Sequence, residues 1–210
     1  TGGDYFDYLS SSDLGPGKFG ILIGDVSGHG IPSALLMATA RAFLRQRSSR
    51  SGSISEVVSD VNRQLTRDVE DTGRFMTLFY LMIDLDTRNM SWVRAGHDPA
   101  IWYDPPTDQF EELHGDGMAL GVDATLQFVQ HHKSGLKKGQ ILLLSTDGLW
   151  ETQNPTGNMF GKKRIYEIIR QHSDRSAREI LETIVAELVT FRQNLEPEDD
   201  ITLVVIKVAK

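Results

Sequence analysis

The sequence contains no cysteine. Disulfides, thiolate metal ligands and a cysteine nucleophile are therefore excluded together. No apolar run approaches the roughly 18 residues that would span a bilayer, and the longest, 75–83, is interrupted by Thr77. Nor is there a dense block of Lys and Arg: 22 basic against 29 acidic residues leave a formal charge of -7. That balance argues against a nucleic-acid footprint, so neither nucleic acid nor membrane is expected as a partner. The chain opens Thr1-Gly2-Gly3-Asp4, with no initiator Met and no signal peptide. A domain excised from a longer, cytoplasmic protein is expected.

With 210 residues, 40% of them hydrophobic, the chain can bury one substantial core, and 1–210 reads as a single domain. Phe19 to Ile23 is a short apolar run that enters Gly24-Asp25 and a glycine-rich turn, the pattern of a buried strand ending in a functional loop. Pro32 suits a first helical turn, and the stretch 34–45 is rich in good helix formers. Ser53 and Glu56 form a capping box ahead of a stripe at Ile54, Val57, Val58, Val61 and Leu65. Segments 75–84, 90–95 and 100–103 read as an antiparallel meander. Further strands are expected at 126–131, 140–145 and 201–208. Helices are expected at 162–171 and along Ile180, Ile184, Leu188 and Phe191, the latter capped by Ser176 and Glu179. The stretch 104–124 reads as a mobile connector. With no strand-helix-strand repeat, the fold class is mixed α+β.

Six aspartates stand apart: Asp4, Asp7, Asp25, Asp147, Asp199 and Asp200 lie beside glycine, at strand ends or next to another carboxylate. One aspartate after a strand is commonly a helix cap or turn former. Several brought together would repel, and burial would raise their pKa values unless cations neutralised them. All-oxygen ligation selects Mg²⁺ or Mn²⁺ over zinc. Two such ions, roughly 4 Å apart, can activate water for in-line attack on phosphorus.

The motifs GGDYFD at 2–7, GDVSGHG at 24–30, AGHDP at 95–99, ALGV at 119–122, STDGLWE at 145–151 and DDITLVVI at 199–206 carry a resemblance. In these residues the chain resembles the PP2C-like (PPM) metal-dependent protein phosphatases, most of all the SpoIIE/RsbU branch that regulates sigma factors by partner switching. The resemblance implies a four-layer αββα sandwich of two antiparallel sheets flanked by helix pairs. It implies two Mn²⁺ or Mg²⁺ ions bridged by Asp25, with the Val26 carbonyl completing one shell. Asp147 and one of Asp199 and Asp200 would hold the second ion, and Asp4 would act through water. Asp25 and Asp147 are the residues expected to carry catalysis. Aligned with the family's Asp-Asn-x-Ser/Thr ending, Asp199 takes the ligand place. Gly28, His29 and Gly30 are expected to face the substrate, where backbone N–H groups at a helix start attract phosphate. His29 follows Asp25 by four residues, whereas the family histidine follows by two, so a general-acid role does not carry over to it.

The resemblance further implies hydrolysis of phosphoserine or phosphothreonine on a regulatory protein, a STAS-type anti-sigma-factor antagonist, with a receiver or sensor domain upstream. A dimer is left open. Two rivals stand beside this reading: a catalytically degenerate partner-binding module of the same fold, and a two-metal phosphodiesterase, for which the sequence lacks a basic track. Of the remaining residues, His97 reads as a hydrogen-bonded turn residue, and His131 and His132 alternate on a strand, so they cannot share one metal. Trp92, Trp102 and Trp150 read as packing, Arg41 and Arg45 as a solvated helix face, and 151–164 as a flap beside the site.

Overall fold

The computed structural model describes residues 2–209. In chain order these form β1 (Asp4–Leu9), α1 (Ser11–Leu14), β2 (Lys18–Val26), α2 (Ile31–Ser48), α3 (Ile54–Val69), β3 (Met76–Asp84) and β4 (Asn89–Ala95). They continue with β5 (Ala100–Asp104), β6 (Gln109–Leu113), β7 (His131–Lys133) and β8 (Ile141–Ser145). The chain closes with α4 (Gly148–Glu151), α5 (Lys162–Gln171), α6 (Ala177–Arg192) and β9 (Leu203–Lys207). They group into two compact units, one reaching to Pro99 and adding His114–Leu136, the other made of Ala100–Leu113 and the chain from Lys137 onward. Among the described residues no helix is long and apolar enough to cross a membrane.

The first unit is an antiparallel sheet in the order β1-β2-β3-β4-β7. Tyr5, Leu9, Leu22, Leu78, Tyr80 and Val93 bury one face of it against α2 and α3. The expected stripe on α3 is buried from Ile54 to Leu65, and Ser53 and Glu56 make the capping box at its start. The second unit is a smaller antiparallel sheet in the order β6-β5-β8-β9. Ile101, Tyr103, Ile141 and Leu143 pack with Ile165, Ile168, Ile180 and Ile184 of α5 and α6. The α+β class with two antiparallel sheets, each carrying a helix pair, agrees with the expectation.

Three local expectations are corrected. The meander breaks after β4: β5 pairs with β6 and β8 in the other sheet, not with β4. Residues 126–131 do not form a strand as a block, and pairing with β4 is confined to His131, His132 and Lys133. The 104–124 stretch contains β6, whose register with β5 runs from Asp104↔Gln109 to Ala100↔Leu113. The three tryptophans are buried.

Arg41 and Arg45 keep 51% and 37% of their side chains exposed, as expected of a solvated helix face, but both also reach Asp7. Asp7 on β1 is buried, and Arg45 Nε and Nη2 donate to its two carboxylate oxygens at 2.6 Å each. Arg41 Nε adds a contact at 3.3 Å. Burial pushes the Asp7 pKa up. The Arg45 hydrogen bonds, the Tyr8 N–H and the two guanidinium charges outweigh it and hold the carboxyl below its usual range. Asp7 is thus a clamp between β1 and α2, not a metal ligand. Arg45→Met keeps the aliphatic stem but takes the bidentate partner from a buried carboxylate, and is expected to cost about 2–3 kcal/mol at neutral pH. Because the folded pKa is depressed, the clamp contributes fully above the unfolded value and is lost as pH falls through the folded one. The difference between Arg45→Met and wild type in urea midpoint should therefore shrink on acidification below about pH 4.

Candidate metal centre

At one end of the first sheet, β1 and β2 place Asp4 directly opposite Asp25. Directly paired residues project from the same face of a sheet, so two like charges stand side by side there. Gly3 lies against the same spot. A Cβ on residue 3 would overlap the Val26 carbonyl oxygen and come within 2.7 Å of Asp25 Oδ1. Both oxygens therefore lie on the same side of residue 3, and can come together there because residue 3 has no side chain. Two carboxylates and a carbonyl form an all-oxygen donor set, which fits a hard divalent cation and not a soft one.

The backbone of Asp25 is held from β3. Asp25 N–H donates to Thr77 Oγ1 at 3.1 Å, and Thr77 Oγ1 lies 2.8 Å from Nδ1 of the buried His97. His97 is a hydrogen-bonded residue as expected. Its link to Asp25 through Thr77 was not legible, although AGHDP singled His97 out. Thr77→Val removes the hydroxyl shared by both partners at nearly constant volume. It should lower stability by about 1–2 kcal/mol in a thermal melt in EDTA.

Beyond Val26, Gly28 and Gly30 adopt φ of 83° and 81°, a left-handed geometry in which a side chain would be strained. They turn the chain into α2, where Gly30 is the N-cap and makes no side-chain capping bond. His29 is exposed on this turn.

In the second unit, the β8–β9 ladder continues past its last strand pair. Thr146 N–H donates to Thr202 O at 3.0 Å, and Thr202 N–H returns to Thr146 Oγ1 at 3.1 Å. This pairing carries Asp147 to the same sheet end as Asp199 and Asp200. The Asp147 side chain makes no capping bond to α4. Asp147 caps that turn through its backbone alone, its carbonyl accepting from the Trp150 and Glu151 N–H groups at 3.0 Å each. Gly148 allows the approach, since a Cβ there would overlap the carbonyl oxygen of Asp200. Asp199 Oδ1 accepts from Asp200 N–H at 2.8 Å. Asp199 also lines a cavity of about 270 Å³ with Gly148, Thr152, Gln153, Met159 and Arg192. The wall at 152–160 is an ordered hairpin, with a Gln153–Met159 bridge and Phe160 N–H donating to Thr152 O at 2.8 Å. Among the described residues no group of three or more His, Asp or Glu side chains forms a ready metal cage.

The family model described as "Stage II sporulation protein E (SpoIIE)" matches residues 15–209. The chain belongs to the SpoIIE family. The match takes in parts of both units and the motifs around Asp25, Asp147 and Asp199, while Asp4 precedes it. Among curated relatives, "Phosphoserine phosphatase RsbU" of Bacillus subtilis (strain 168) is 28% identical over 205 residues. That alignment takes in 98% of this chain and 59% of RsbU, so the chain spans little more than half of that relative. Among solved structures, the SiaA-PP2C domain of Pseudomonas aeruginosa superposes with a TM-score of 0.82 at 24% identity, covering 98% of this chain and 80% of that one. RsbX in complex with magnesium superposes at 0.70 with 16% identity, covering 98% and 86%. The fold of this SpoIIE-family chain is therefore PP2C-like.

Proposed function

We propose that this chain is a metal-dependent protein phosphatase domain that hydrolyses phosphoserine or phosphothreonine on a regulatory protein in bacterial signalling. The observation that carries this reading is the convergence of Asp25 Oδ1 and the Val26 carbonyl on the space beside Gly3, opposite Asp4. It is supported by the family match and by the name of RsbU. Asp4, Asp25 and the Val26 carbonyl are the ligands assigned to the first unit, and Asp147 with Asp199 those assigned to the second. Asp200 is next to Asp199 and is the alternate ligand. When bound, two Mg²⁺ or Mn²⁺ ions supply neutralisation of the phosphoryl oxygens and activation of water. Gly28 and Gly30 turn the chain into α2, whose N-terminal end attracts a phosphoryl oxygen. His29, exposed on that turn, contacts the substrate and is not assigned the leaving-group proton, which solvent can supply to a serine alkoxide.

The substrate this reading favours is a STAS-type anti-sigma-factor antagonist, met in the cytoplasm by a protein in which a sensor or receiver domain precedes the phosphatase. The test is phosphate release from a phosphoserine protein of that type, with a nucleic acid and a bis-aryl phosphodiester run alongside. Release from the phosphoserine protein that stops in EDTA and returns with Mn²⁺ supports the proposal. Equal release without metal, or preference for the diester or nucleic acid, overturns it. Metal binding with no turnover of any phosphoprotein points to a partner-binding module.

A further inference from the structure

We infer that Arg74 is a positioning residue for metal binding: it clasps the turn after Asp25 so that the Val26 carbonyl points into the ligand space. The inference rests on the metal-dependent reading above. Its geometry lies wholly within the first unit.

Arg74 sits on the turn just before β3. Its Nη1 donates to Ser27 O at 3.1 Å and to Ser33 Oγ at 2.9 Å. Ser33 Oγ in turn donates to the same Ser27 carbonyl at 3.2 Å. Three groups from three segments thus close on one another, and Ser33, in the first turn of α2, is fully buried. Next to Arg74, Phe75 forms a two-way bridge with the same residue. Ser27 N–H donates to Phe75 O at 2.9 Å, and Phe75 N–H donates to Ser27 Oγ at 3.0 Å. Ser27 is therefore held at its N–H, its hydroxyl and its carbonyl, all by residues 33, 74 and 75.

Planarity of the peptide unit makes this clasp relevant to the metal. The N–H of Ser27 and the carbonyl of Val26 belong to one trans peptide and point in opposite directions. Fixing the N–H on Phe75 aims the carbonyl away from β3, toward Gly3, where the Val26 N–H also donates to Gly3 O at 3.1 Å. Arg74 acts one peptide further on: by holding the Ser27 carbonyl it keeps Ser27 seated against Phe75, and so sets the direction of a proposed ligand at one remove, without touching the ion. Gly28 is part of the arrangement. A Cβ on it would come within 2.9 Å of Arg74 Nη1, so the absence of a side chain lets the guanidinium close over the turn. Groups that orient metal ligands from behind are typically worth about 10–100-fold in affinity.

The test is calorimetric titration of Mn²⁺ into wild type, Arg74→Met, Arg74→Lys and Ser33→Ala, with amide exchange of the metal-free proteins read in parallel. Arg74→Met is expected to weaken Mn²⁺ binding about tenfold or more, and to speed exchange at Ser27, Gly28 and His29 while the β2 and β3 amides stay protected. At saturating Mn²⁺ its kcat on a phosphoserine peptide should stay within about threefold of wild type, because the ligands themselves are unchanged. Arg74→Lys, which can still donate to the Ser27 carbonyl, should recover part of the affinity, and Ser33→Ala should lose less than Arg74→Met. If wild type binds Mn²⁺ and Arg74→Met binds it equally well, the inference fails while the metal-dependent reading stands. Faster exchange with unchanged affinity also overturns it, since the clasp then serves the fold alone. If wild type itself binds no Mn²⁺, the metal-dependent reading fails and this inference with it.

Discussion

Asp25→Asn should reduce phosphoserine hydrolysis at fixed Mn²⁺ by about a thousand-fold, some 4 kcal/mol of lost transition-state stabilisation, in a protein that stays folded. The size follows from the position. Asp25 is the residue whose side chain and neighbouring carbonyl both meet the space beside Gly3, so losing its charge removes the anchor on which the first-unit ligands depend. The same substitution carries a second, opposite signature. Asp4 and Asp25 are directly opposed on β1 and β2, and like charges in that relation destabilise a sheet by roughly 0.2–1 kcal/mol. In EDTA, Asp25→Asn should therefore melt at the same temperature as wild type or slightly higher, while the Mn²⁺-induced rise in melting temperature disappears. Lost activity with lower stability in EDTA would mark Asp25 as a structural residue instead.

Gly148→Ala should be the most damaging single methyl in the second unit. Gly148 follows Asp147 directly and opens α4, and the Cβ it lacks would overlap the Asp200 carbonyl. That obstacle is backbone, fixed by the Thr146–Thr202 bonds at 3.0 and 3.1 Å, so no side chain can swing aside to relieve it. We expect a loss of about 2–4 kcal/mol in urea unfolding. Separation of Asp147 from the 199–200 segment should also lower activity at least about tenfold at saturating Mn²⁺. Unchanged stability would mean that the close approach of these two segments does not persist in solution.

What was legible in the sequence was mostly what depends on near neighbours. The capping boxes at Ser53–Glu56 and Ser176–Glu179 are local grammar, and both helices start where those residues place them. The apolar stripe of α3 and the buried run of β8 likewise follow from periodicity. What failed was long-range. The turn at 95–99 says that the chain reverses, but nothing in it says which sheet the next strand joins, and β5 joins the other one. The β1 sequence DYFDYL alternates buried and exposed positions, but six residues with two charges among them carry too short a period to mark a strand. Asp7 and Arg45 are 38 residues apart, so a buried carboxylate and a partly exposed arginine could not be matched without coordinates.

The candidate site divides in the same way. Asp25, Asp147 and the 199–200 pair could be named from motifs, because short aspartates near strand ends, beside glycine or another carboxylate, are an uncommon use of charge. Thr77 and Arg74 could not, since a lone Thr in a strand and a lone Arg before one carry no signature. They matter through hydrogen bonds to the backbone on either side of Val26, which no spacing rule reveals. Gly3 belongs to the motif GGDYFD, but the reason that it is glycine becomes visible only with the Val26 carbonyl and the Asp25 carboxylate beside it.

The most direct measurement is an anomalous difference map from crystals grown in Mn²⁺. The expected result is manganese bonded to Asp25 and to Asp147, with the Val26 carbonyl in one coordination shell and Asp199 or Asp200 in the other. Manganese absent from both aspartates at millimolar concentration, or bound solely at unrelated surface carboxylates, would contradict the proposed enzyme.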